Sequence, residues 1–302
     1  HSLIIYIVFG YLLLLPMVLV GLKIFDIRNA LQRLRLYLVA FLTPPAAFIL
    51  YHTLLVKRCE SGLAPIWAAE AFHMLCIISE GMLTIFTPLF FIILALALFK
   101  VGIALLMVKR LENSAVKIDP QTEMLIKDII TKLSEAISVK APQIIFSSRE
   151  GFAAFTTGFI KPVLVLNHRI LSLLSQQDIE AMISHELVHI KQRDTLKSWS
   201  LHMIRGITLL NPLSALLLKG YLVEKEVLVD QKAVYLSGLK PQDYAATLLK
   251  VWRLILDNKG LKPAVVSSFT ASSMERRIKA LLAPVQEKAN NANLLTAIFG
   301  IA

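Results

Sequence analysis

The chain has 302 residues, 56% of them hydrophobic, with a mean hydropathy of +0.65; that exceeds what a soluble globule needs and points to membrane spans. Its formal charge of +11 fits basic loops on an anionic leaflet, because no nucleic-acid motif or basic run with interleaved aromatics accompanies it, and no nucleic-acid partner is expected. The only cysteines, Cys59 and Cys76, exclude a disulfide scaffold and a cysteine-based zinc knuckle.

Residues 2–22, "SLIIYIVFGYLLLLPMVLVGL", carry no charge and match the thickness of a bilayer core, with Pro16 as a tolerated kink. A signal peptide is the competing reading, but the apolar run is too long and no small-residue cleavage site follows it. Residues 36–56 form a second span and residues 82–108 a third. Between them, "CESGLAPIWAAEAFHMLCIISEG" carries Glu60, Glu70, His73 and Glu80, too many polar groups for a comfortable crossing, and is expected to lie on the membrane surface. Lys23, Arg28, Arg33 and Arg35 in the first loop, and Lys109, Arg110 and Lys117 after the third span, outnumber Lys57 and Arg58. The positive-inside rule therefore puts the first loop and everything after residue 109 in the cytoplasm. The two cysteines then lie outside, where a disulfide is permitted.

From residue 119 the pattern turns soluble. Asp119 and Pro120 read as cap and first residue of a helix, with Leu125, Ile126, Ile129, Ile130, Leu133 and Ile137 at helical spacing. "PQIIFSS", "FAAFTTGF" and "KPVLVLN" read as short strands, and Ser175 with Asp178 forms a capping box opening the next helix. A further helical stretch over about 196–236 breaks near Asn211 and Pro212. Gly238 ends it, and Pro241 starts another helix. The chain starts at His1, not Met, and ends in the apolar "NLLTAIFGIA", which reads as truncation at both ends.

The chemistry sits in "SHELVHIKQRD", residues 184–194. His185 and His189, four apart on a helix, share a face and can direct two imidazoles at one ion. Glu186 lies about 100° around from His185, which suits a base holding water better than a ligand. Chance alone would give H-E-x-x-H in on the order of one in a hundred chains of this size, so a third ligand is required. "EKEVLVDQKAV" offers Glu226, with Asp230 one turn on to bond the second nitrogen of a ligand histidine. Glu224 is the competing ligand. Two histidines, a glutamate and an open fourth position form the catalytic pattern for Zn2+. One crossing between the motifs would separate Glu226 from His185, and a hairpin of two crossings needs about 40 residues, whereas 196–223 supplies only 28. That apolar stretch is expected to stay on the cytoplasmic side, against the membrane or inside the domain.

These segments, with "LLNPL" and "PQDYAATLL", resemble the membrane-embedded zinc peptidases of the BlaR/MecR type. The resemblance implies an α-helical membrane domain (1–110), an α+β zincin, gluzincin-like peptidase domain (111–290), and the start of a fourth span at 291–302. It implies His185, His189 and Glu226 as zinc ligands and Glu186 as catalytic base. The location is a bacterial inner membrane, multi-pass, with the peptidase on the cytoplasmic side. The family's E-x-x-C-D stands here as Glu226-Val-Leu-Val-Asp230, and its penicillin-binding sensor would lie beyond residue 302, so beta-lactam sensing is not carried over. The expected partners are the lipid bilayer and a protein substrate, a cytoplasmic repressor or the chain itself. Phe152, Ala153, Ala154, Phe155 and Thr156 could pair with an extended substrate by strand addition, or simply complete the sheet. The oxyanion partner stays open among Arg169, His202, Arg205 and Tyr235. Two other readings are an HtpX-type quality-control peptidase, expected to place a spanning hairpin between its motifs, and a non-catalytic sensor or scaffold with structural zinc, which would have no use for Glu186.

Overall fold

The computed structural model describes residues 3–54, helical positions scattered between 91 and 110, and residues 116–158, 161–208, 211–257 and 271–283. The segment with Cys59 and Cys76 expected on the membrane surface, most of the expected third span and the expected start of a fourth lie outside the described residues. The described chain is mostly helical with one small sheet. Its residues divide into two compact units, one drawn from His1–Lys100 and Leu201–Leu222, the other from Val101–Ser200 and Val223–Gln286.

In the first unit, helices α1 (Leu3–Ile24) and α2 (Ala30–Leu54) pack together. Among the described residues, Ala30–Leu50 is long and apolar enough to cross a membrane, and Phe9–Ile24 is a shorter apolar stretch. A buried hydroxyl in such surroundings needs a partner. Tyr11 Oη finds one, donating to the Phe41 carbonyl at 2.7 Å. Leu201, Leu217, Leu218 and Tyr221 pack with Tyr11, Tyr37 and Phe41, so the apolarity of the stretch after the histidine motif is used against α1 and α2. Gly220 is required there: a Cβ would run into the Tyr37 ring.

The second unit is built on strands β1 (Gln143–Ser147), β2 (Ala154–Thr157) and β3 (Val163–Asn167) in the order β1-β3-β2, with β1 parallel and β2 antiparallel to the central β3. The pleat sorts alternate residues to opposite faces. Phe146, Leu164 and Leu166 join Ile126 and Ile130 of α3 (Pro120–Ala136) and Ile183 and Leu187 of α5 (Gln176–Gln192) in the main core. Ile145, Val163 and Val165 form the other face, covered by Phe152 and Phe155, whose rings meet edge to face at 4.8 Å. Leu125, on the expected apolar stripe of α3, is exposed instead, because the four buried apolar positions Ile126, Ile129, Ile130 and Leu133 already fill the contact. Between sheet and α5 lies the single turn α4 (His168–Leu171).

Local signals set the remaining ends. Asp119 caps α3 by accepting from the Thr122 amide at 3.1 Å, and Ser175 with Asp178 closes a reciprocal capping box on α5. Arg193 takes a left-handed conformation, φ 53°, which ends α5 and starts α6 (Asp194–Ile207). Helix α7 (Pro212–Ser237) begins after Asn211 and ends at Gly238, φ 69°; α8 (Pro241–Asp257) and α9 (Ala271–Leu282) follow.

Asp178 also reaches α8, accepting from Thr247 Oγ1 and Lys250 Nζ, each at 2.7 Å. Burial alone would raise its carboxyl, but these bonds and those of Ser175 outweigh it and hold the group at about 2, below the usual 3.8. A depressed carboxylate stabilises the fold above its unfolded value and loses that contribution as pH falls toward the folded one. Thermal unfolding of the wild type should therefore weaken between pH 4 and pH 2 more steeply than that of Asp178→Asn, which should already be less stable at pH 7. Gly158, φ +87°, sits where a Cβ would collide with the Lys161 carbonyl. Gly158→Ala should lose at least about 1–3 kcal/mol in a denaturant titration.

Candidate metal centre

Helix α5 presents His185 and His189 on one face, as four-residue spacing requires. Their Nε2 atoms lie 3.1 Å apart. Glu226 of α7 brings Oε2 to 3.4 Å from His185 Nε2 and 3.8 Å from His189 Nε2. Three atoms held about 2.0–2.1 Å from a tetrahedral ion stand about 3.3 Å from one another, so the set fits a small divalent metal without rearrangement. Among the described residues this is the group able to hold one.

Each imidazole has its other nitrogen held by a carboxylate. His185 Nδ1 lies 3.0 Å from Asp230 Oδ1, and His189 Nδ1 lies 2.8 Å from Asp194 Oδ2. Both carboxylates are buried and accept Nδ1–H, which leaves both Nε2 lone pairs facing a common point. Two lone pairs at 3.1 Å repel unless a cation stands between them. Burial alone would lower the basicity of His185, but Asp230 and Glu226 outweigh it and raise the imidazole to about 9. Burial likewise would raise the Glu226 carboxyl, yet His189, His185, Arg277 and Lys225 hold it well below the usual range. The cluster therefore takes a proton when stripped of metal, and protons compete with the metal as pH falls.

Asp230 stands beside His185 Nδ1, and the two glutamates of α7 face different partners. Glu224 is buried and gripped by Arg276, whose Nε and Nη2 donate to it at 3.1 and 2.9 Å, while Glu226 faces the histidines. Glu186, also buried, lines a cleft beside His185 with Ala153, Ala154, Met182, Thr247 and Val251. Three participants escape a reading of the motifs alone. Asp194 is one. Tyr244 of α8 is the second: its hydroxyl donates to Asp230 Oδ1 at 3.2 Å and lies 3.2 Å from His185 Nδ1. Arg277 of α9 is the third, bonding Asp230 with Nε and Nη2 at 2.6 and 2.7 Å. A signal for it exists in the sequence, since Met274, Arg277 and Leu281 are all buried on one face of α9, and an arginine on an apolar stripe needs a buried acid. Of the oxyanion candidates, Tyr235 is exposed, Arg169 pairs with Glu150 at 3.6 Å and Arg205 donates to the Thr208 carbonyl at 3.3 Å.

The strand expected to meet substrate is placed at an edge. Ala154–Thr157 pair with β3 on one side only among the described residues, and Ala153 and Ala154 line the cleft that holds Glu186. Asn167 fixes the approach: its Nδ2 donates to the carbonyls of Arg149 and Phe152 at 2.7 and 3.0 Å, and its Oδ1 caps α4.

The family model described as BlaR1 peptidase M56 matches residues 73–281, most of the chain. The chain belongs to this family of peptidases. No curated protein matches it. M56 members are metallopeptidases and typically membrane-associated, and the matched range contains every residue of the cluster, from His185 to Arg277. The resemblance read from the motifs is thereby borne out.

In this M56 peptidase, Glu226→Gln should abolish metal retention through detergent purification, while Glu224→Gln should keep the metal and lower the unfolding temperature. Asp194→Asn should weaken zinc binding about 10–100-fold, measured by competition with a chromophoric chelator.

Proposed function

We propose that the chain is an integral-membrane zinc endopeptidase with a zincin site that hydrolyses peptide bonds on the cytoplasmic side of a bacterial inner membrane. The observation that carries the reading is the convergence of His185, His189 and Glu226, with Glu186 free of the ligand set but beside it in a cleft. A structural site would close its fourth position with a protein group and has no need of a neighbouring base.

His185, His189 and Glu226 would hold the zinc, which would supply Lewis acidity toward a peptide carbonyl and a water. Glu186 Oε takes a proton from the attacking water as its oxygen bonds to the carbonyl carbon, then delivers that proton to the amine as the C–N bond breaks. The two histidines are kept from turning by Asp230 and Asp194, so the charge distribution around the reacting carbonyl is fixed before substrate arrives. The open edge of β2 pairs with an extended substrate, and Ala153 and Ala154 allow that backbone close to Glu186. Apolar α1 and α2, and the excess of Lys23, Arg28, Arg33 and Arg35 in the loop between them, support a multi-pass membrane protein with that loop in the cytoplasm. The substrate is a cytoplasmic repressor cut in response to an outside signal, or a segment of the chain itself.

Purified in detergent, the wild type should hold zinc in a one-to-one ratio and yield cleavage fragments. Glu186→Gln should retain the zinc and lose cleavage by at least about a hundredfold; fragments produced equally by the variant would refute the enzymatic reading. In sealed cells, single cysteines introduced near residues 150 and 240 should resist labelling from outside, and labelling there would overturn the orientation.

A further inference from the structure

Two neighbouring arginines of α9 grip two carboxylates of α7, on either side of the ligand Glu226. Arg276 holds Glu224, and Arg277 holds Asp230. The pairs are not equivalent. Arg276 remains partly exposed, with a side-chain exposure of 27%, whereas that of Arg277 is 2%. Only Arg277 extends to the metal ligands: its Nη1 stands 3.8 Å from Glu226 Oε2, and the carboxylate it grips is the one that orients His185.

We propose that Arg277 is a positioning residue for the metal, acting through Asp230 on His185 and directly on Glu226. This rests on the reading of the cluster as a metal site. Asp230 is buried and offers two oxygens. Its Oδ1 receives Arg277 Nη2, Tyr244 Oη and His185 Nδ1, while Oδ2 receives Arg277 Nε. Without the guanidinium fork the carboxylate is free to rotate about its χ2 angle, and His185 loses the acceptor that keeps its Nε2 on the ion. A flexible ammonium preserves the charge but not the two parallel bonds that fix the plane. The charge matters as well. Asp194, Asp230, Glu186 and Glu226 crowd around two imidazoles; Lys225 stands 3.6 Å from Glu226, and Arg277 is the cation hydrogen-bonded to Asp230.

The test measures zinc affinity of the full chain in detergent against a chromophoric chelator, with the visible spectrum of the cobalt-substituted protein as second readout. Arg277→Met should weaken zinc binding about tenfold or more and alter the cobalt bands. Arg277→Lys should lose at least severalfold and serves where the methionine variant does not fold. Arg276→Met, which removes the neighbouring clamp on the same helix, should lower the unfolding temperature and leave zinc affinity within about twofold. The double variant Arg277→Met with Asp230→Asn should bind zinc no more weakly than Asp230→Asn alone, as expected for residues acting through one another. Unchanged affinity in folded Arg277→Met or Arg277→Lys would overturn the role, as would equal losses in the Arg276 and Arg277 variants. A wild-type chain that binds no zinc would overturn the metal site itself, and Arg277's role with it.

Discussion

Charge withdrawn from water must be answered locally, and the second unit of this protein is organised around that demand. Asp194, Glu224 and Asp230 are all buried, and an isolated carboxylate in such surroundings would protonate or unfold its neighbourhood. The answers come from three directions. Arg276 and Arg277 arrive on α9, Tyr244 arrives on α8, and the two histidines arrive on α5. Because a buried pair is costly to break and worth little to make, the network does less for stability than for uniqueness: one arrangement of α5, α7, α8 and α9 satisfies every member. The fixed geometry of the ligands follows from that restriction.

The local grammar of the chain was largely readable. Asp119 and Pro120 start α3, Ser175 and Asp178 start α5, Gly238 stops α7, and the three strands appear where the alternating residues place them. Each of these signals acts within a few residues, so the sequence contains the whole cause. The histidine pair and its two carboxylates were readable for the same reason, since each pair lies four apart on one helix. What stayed hidden is long-range. Arg277 meets Asp230 across 47 positions and Tyr244 meets His185 across 59, and no local pattern states which helices become neighbours. The apolar stretch after the histidine motif gives the same lesson. Its composition announces burial, but not that Leu217 and Tyr221 would find Tyr11 and Phe41.

The sheet is small for its task, and its centre is correspondingly well protected. Every residue of β3 is buried, with helices on one face and two phenylalanines on the other. The outer strand β2 can thus be left with a small residue at its start and, among the described residues, an unpaired edge without endangering the core. Asn167, the last residue of β3, ties the loop ahead of β2 and the turn of α4 with one side chain, so the rigid strand sets the path of the exposed one.

The left-handed residue Arg193 has a consequence for how the motif should be measured. On an unbroken helix a residue five positions beyond His189 would lie about 140° around the axis and about 7.5 Å further along it, out of reach of the imidazole. The break at Arg193 folds the chain back and delivers Asp194 to Nδ1 at 2.8 Å. The functional word is therefore longer than five letters: H-E-x-x-H-x-x-x-x-D, with a kink as its silent ninth character. A single insertion or deletion between Ile190 and Arg193 would leave every chemical group present and yet disarm the sentence.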